Sequence, residues 1–156
     1  MARSNRQLTQ FAVDQLRVLL TYGPDAVKPM TVGNTSVEVV KCSCVCDRAP
    51  HVTFSLFGKP IVEVYTSPLN HRLIVGTIIK TGDFYDSKGR PSRTTRERIN
   101  GLLDALGTAG FLPEGVRVFL RDDNGCYVGK GDACKRFDAG NPAVALLSHQ
   151  TDLVYT

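Results

Sequence analysis

Thr94-Thr95-Arg96-Glu97-Arg98-Ile99-Asn100-Gly101-Leu102-Leu103-Asp104-Ala105-Leu106-Gly107 is the stretch whose reading decides the fold. Ile99, Leu102, Leu103 and Leu106 recur at i, i+3, i+4 and i+7, one apolar stripe of a 3.6-residue period. Thr94 followed three residues later by Glu97 fits a capping box, and Gly107 suits the left-handed residue that ends a helix. The spacing therefore predicts a helix over about 94–106, with its stripe against a sheet.

The charges on this helix oppose its own dipole. Arg93, Arg96 and Arg98 stand at the positive N-terminal end and Asp104 near the negative C-terminal end, each costing about 0.3–1 kcal/mol when exposed. Residues 88–98 hold five basic side chains and one acid, a net +4 equal to the formal charge of the whole chain. The positive charge is thus local, and a rule broken at several adjacent positions points to function. Lys88, Arg90, Arg93, Arg96 and Arg98, beside the free N–H groups of a helix start, form a candidate site for phosphate or carboxylate. Nucleic acid or an acidic protein face would supply either group. The alternative is a solvated face, in which the stems of Arg96 and Arg98 flank the leucine stripe and cover apolar surface.

Working outward, residues 6–22 read as an amphipathic helix, with Leu8, Phe11, Ala12, Leu16, Leu19 and Leu20 on one side, Ser4 or Asn5 as cap and Gly23-Pro24 as stop. Extended segments are expected at 30–32 and 35–46 around Gly33-Asn34, at 52–57 and 61–65 around Gly58, and at 73–79, with a bulge at Gly76. Asp122-Asp123-Asn124-Gly125 marks a hairpin between 116–121 and 126–130, and the apolar tail 141–155 is expected to dock. Hairpins dominate and no βαβ series occurs. The fold class is α+β: an antiparallel sheet of hairpins with one central helix and an N-terminal amphipathic helix packed on it.

The 156 residues suit a single domain (helix 6–22, α+β core 30–130, tail 141–156), and 42% apolar with 22% charged residues is ordinary for a globular chain. No run approaches the roughly 18 apolar residues of a membrane span, and polar residues interrupt any signal-peptide core near the N-terminus. Five cysteines, an odd number, three of them at alternate positions, argue for a reducing cytoplasm. A pI near 8.9 is only mildly basic.

Cys42, Cys44 and Cys46 would share one face of a strand, about 7 Å apart. That spacing suits a buried thiol-lined face better than zinc, for which His51, Cys126 or Cys134 would have to be recruited. Asp83, Asp86 and Lys88 have the residue types of a metal-dependent nuclease but lie in a Gly-containing loop. Phe84 and Tyr85 beside the basic segment could stack on bases or cap a core. No Gly-rich phosphate loop, His-Glu-x-x-His or Gly-x-Ser-x-Gly motif is present, and no cofactor or metal is expected.

Residues 54–130, through the strand pair around Phe57-Gly58, the helix opening Ser92-x-Thr94-Thr95-x-x-Arg98-Ile99-Asn100 and the following hairpin, resemble a loosely defined group of small proteins of bacteriophages and other mobile elements. The group brings no catalytic residue or ligand. What the resemblance implies is a phage or mobile-element origin and no mechanism; by analogy with small single-domain phage proteins, the expectation is an accessory protein in the host bacterial cytoplasm that binds a host protein or ribonucleoprotein and inhibits a CRISPR-like or other nuclease complex of a defence system. Arg90, Arg93, Arg96 and Arg98 would be in the interface. The alternatives are a nucleic-acid-binding module using the same patch and a metal-dependent nuclease using Asp83 and Asp86; no membrane partner is expected.

Overall fold

A computed structural model describes residues 3–40, 51–66, 74–80, 92–121, 125–130, 133–137, 143–146 and 153–155. The predicted N-terminal helix, α1 (Arg3–Tyr22), begins ahead of the expected Ser4 or Asn5 cap and stops at Gly23, whose φ of 89° lets its N–H reach the Leu19 carbonyl at 3.0 Å. Its stripe is buried through Leu8, Ala12, Leu16 and Leu19. A single 3-10 turn (Pro24–Ala26) reverses the chain, and the Gln15 side chain accepts the Lys28 N–H at 2.9 Å to hold the returning segment.

Among the described residues ten strands follow: β1 (Met30–Val32), β2 (Thr35–Val40), β3 (His51–Leu56), β4 (Lys59–Thr66), β5 (Ile74–Lys80), β6 (Arg117–Leu120), β7 (Cys126–Lys130), β8 (Ala133–Phe137), β9 (Ala143–Leu146) and β10 (Leu153–Tyr155). They form an antiparallel sheet in the order β1-β2-β3-β4-β5-β9-β10 and a separate antiparallel sheet β6-β7-β8. The α+β class, built of hairpins, is as predicted. The predicted strand 35–46 is described only as far as Val40, and the segment expected to dock as a tail supplies two strands that extend the larger sheet beyond β5.

Glycine sets the turns where the backbone must be left-handed. Between β3 and β4, Gly58 (φ 77°) follows Phe57 (φ 54°), so both central residues take the positive φ of a tight hairpin turn. The bulge expected at Gly76 falls one residue earlier, where Val75 is skipped between the pairs Tyr65–Gly76 and Thr66–Ile74.

Cross-strand partners share a face, so register sorts the large sheet into two surfaces. Val37, Val52, Phe54, Val62, Val64 and Ile79 form the apolar surface, buried under α1 and α2 (Arg93–Thr108). Ile99, Leu102, Leu103 and Leu106 are each at most 2% exposed, burial worth about 1.5–3 kcal/mol per side chain. The helix stripe faces a sheet, as expected. Helix α2 also touches β6, so it bridges the two sheets. Among the described residues no helix is long and apolar enough to cross a membrane.

Two details of α2 correct the sequence reading. The N-cap is Ser92 rather than Thr94: its Oγ accepts the Thr95 N–H at 3.2 Å, and Glu97 is drawn to Arg93 instead of turning back to the cap. Gly107 lies inside the helix. The left-handed residue is Gly110 (φ 84°), where Gly110 N–H bonds the Gly107 carbonyl at 3.1 Å and Phe111 N–H the Leu106 carbonyl at 2.9 Å, a Schellman ending. A Cβ at Gly107 would meet the Glu114 Cα at 3.4 Å, so the returning backbone packs closely on this helical residue.

Candidate functional site

Of the five basic residues singled out at the helix start, Lys88 and Arg90 lie outside the described residues. So do Asp83, Phe84, Tyr85, Asp86, Cys42, Cys44 and Cys46. Arg93 is exposed but its Nε donates to Glu97 Oε1 at 2.9 Å, an i,i+4 pair that offsets its charge. Arg96 is half-buried. Arg98 is also half-buried, its Nε without a hydrogen-bond partner among the described residues.

A richer constellation lies on β6-β7-β8. Register pairs Phe119 with Tyr127 and Tyr127 with Arg136, and Arg117 with Gly129 and Gly129 with Cys134. Because side chains alternate along a strand, Arg117, Phe119, Tyr127, Cys134 and Arg136 share one face, while Val118, Cys126 and Val128 turn into the core. Cys126 and Cys134 thus sit on opposite faces of this sheet and cannot serve one metal with His51 on the other sheet. Among the described residues no group of three or more metal-ligating side chains occurs.

On the outward face the Phe119 and Tyr127 rings are stacked, 6.0 Å apart between centroids and nearly parallel at 19°. The Arg121 guanidinium covers both, 4.7 Å from the Tyr127 centroid and 5.6 Å from that of Phe119, and Nη2 donates to Cys134 Sγ at 3.1 Å. Beside the rings is an open hollow of about 540 Å³, lined by Asn100, Arg117, Phe119, Arg121 and Gly129 among others. Gly129 has no side chain to fill it. Arg117 contributes one long contact, 3.7 Å to Asp104, and both groups are more than half exposed.

Asn100 holds this sheet on α2. Its Nδ2 donates to the Val118 carbonyl at 2.8 Å and its Oδ1 accepts the Val118 N–H at 2.7 Å. Both polar groups of Val118 therefore point away from β7, and one side-chain amide stands in for a neighbouring strand at the β6 edge. Asn100 meets Val118 and Asp104 meets Arg117, so helix and strand run in opposite senses. The basic start of α2 and the Arg121 end of β6 accordingly lie toward the same end of the molecule.

A second polar cluster lies on the other face of the large sheet. Glu63 accepts a hydrogen bond from the Tyr65 hydroxyl and lies 3.4 Å from His51 Nε2, and the His51 ring stacks on Tyr65 at 4.2 Å between centroids. His51 and Glu63 are 4% and 8% exposed, so this network is buried.

Neither protein-family models nor curated proteins nor solved structures give a match to this chain. The geometry alone carries the functional argument. Phe119, Arg121, Tyr127 and Arg136 escaped the sequence reading because only register, including that of the unforeseen β8, brings them together; the readable trace was the alternation Arg117-x-Phe119-x-Arg121.

Proposed function

We propose that this protein binds nucleic acid, holding phosphates with Arg117, Arg121 and Arg136 on the outward face of β6-β7-β8 and with Arg96 at the start of α2. The observation that carries this reading is the outward face itself, where three arginines surround two near-parallel aromatic rings. Guanidinium groups give charge-assisted, paired hydrogen bonds to phosphate, and a sheet supplies the fixed spacing that a loop would not. In a phage-type accessory protein such binding would occupy the nucleic acid on which a host defence nuclease acts.

The competing reading is contact with a host protein, and Phe57 favours it. That ring is 72% exposed at a tight turn and its backbone is left-handed, a costly conformation for a non-glycine residue. Fluorescence anisotropy with a labelled oligonucleotide separates the two. The charge reversal Arg117→Glu/Arg121→Glu/Arg136→Glu should weaken binding by at least about 100-fold, since each lost charged contact is worth roughly 1.5–3 kcal/mol. The variant should melt as the parent does. Absence of oligonucleotide binding by the parent protein would return the assignment to the host-protein reading.

A further inference from the structure

We infer that the ligand of this surface is single-stranded nucleic acid, with unstacked bases lying on Phe119 and Tyr127 in the place the Arg121 guanidinium now occupies. The inference rests on the nucleic-acid reading above and adds to it the form of the ligand and the way its bases are held.

The rings stand on adjacent strands, stacked with centroids 6.0 Å apart and planes within 19°, and together they make one aromatic platform on the outward face. A base reaches this platform only when it is unstacked from its neighbours and turned toward the protein. A duplex hides its base faces and could offer only its backbone. A single strand offers both, and aromatic platforms flanked by cations are the means by which proteins hold it without reading its sequence.

Arg121 marks the place of the bases. Its guanidinium is planar, cationic and laid over both rings, which shows that the ring faces accept a flat polar group from the outward side. An arriving base takes that position. The guanidinium then turns to a phosphate or closes on the base's far side, both being contacts arginine makes with nucleotides. The hollow of about 540 Å³ beside the rings is within the size range of small-ligand sites, and Gly129 keeps it open between Arg117 and Cys134. It accommodates a sugar-phosphate unit beside a stacked base, with Arg117 at its wall and Arg136 one strand beyond Tyr127.

The test compares a labelled single-stranded oligonucleotide, its duplex, and a base-free polyphosphate as competitor. The parent protein should prefer the single strand by about 10-fold or more. Phe119→Leu/Tyr127→Leu should lose about 10-fold or more on the single strand, an effect typical of even one stacked base, while duplex affinity is unchanged. A second variant guards against a folding defect: Tyr127→Trp preserves a stacking ring in a chain that has no tryptophan of its own, and its indole emission should be quenched by the single strand and not by polyphosphate. Equal affinity for both forms, or an indole emission in the Tyr127→Trp variant that is indifferent to the single strand, would overturn the inference while leaving nucleic-acid binding in place. Failure to bind either form would overturn both.

Discussion

Replacing Asn100 with alanine removes both hydrogen bonds that tie β6 to α2, at 2.8 and 2.7 Å, from a residue 8% exposed to one 2% exposed. The Val118 N–H and C=O then face α2 with no partner, because register to Val128 does not use them. A buried polar group left unsatisfied costs about 1–3 kcal/mol, so two cost about 2–6 kcal/mol. The open hollow lined by Asn100 lets water reach the vacated site, which places the expected loss toward the lower end, about 2–3 kcal/mol. That is a large fraction of the ~5–15 kcal/mol that holds a typical domain together. Urea unfolding reads it directly: with a slope of ~2 kcal/mol per molar, the midpoint should fall by about 1–1.5 M with the slope unchanged. Hydrogen exchange should show the Val118 amide losing protection ahead of its neighbours. A midpoint shift under about 0.25 M with Val118 still protected would refute the claim that this amide anchors the small sheet.

Other substitutions test the account elsewhere. Ser92→Ala removes the oxygen that accepts the Thr95 N–H and should cost about 1 kcal/mol, measured by thermal or urea unfolding, whereas Thr94→Ala should cost less because Thr94 is not the cap. Thr77 is 1% exposed, faces the apolar surface opposite Val64, and its hydroxyl has no partner among the described residues. Thr77→Val should therefore stabilise the protein by about 1 kcal/mol, seen as a higher urea midpoint.

The parts of the fold legible in the sequence are those set by local pattern. The stripe from Ile99 to Leu106 placed α2 on a sheet, Gly23 stopped α1, and the Asn124-Gly125 pair announced the β6-β7 hairpin. The parts that were not legible depend on partners distant in the chain. Gly107 suits a left-handed ending by residue type, and only the folded backbone shows that Gly110 takes that conformation instead. Thr94 and Glu97 have capping-box spacing, but Ser92 takes the cap and Glu97 pairs with Arg93 instead. Strands β9 and β10 are short, and β9 is recognisable through its pairing with β5 on one side and β10 on the other.

The candidate site follows the same division. Basic residues near the helix start were visible as a run, but pairing and burial there are properties of the folded chain. Arg136 reaches Tyr127 only through the register of β7 with β8, and nothing in the segment around Asn100 foretells its bond to a strand edge 18 residues on.

The most direct test of the central claim is the salt dependence of oligonucleotide affinity. Contact with three to five phosphates through the arginines predicts a slope of log K against log salt of about −2 to −3.5 for a single strand. Between about 50 and about 200 mM salt the affinity should then fall by roughly 20- to 130-fold. The Arg117→Glu/Arg121→Glu/Arg136→Glu variant should show weak binding and a shallower slope. A slope near zero, or one identical in the parent and the charge-reversed protein, would contradict the assignment of this surface to nucleic acid.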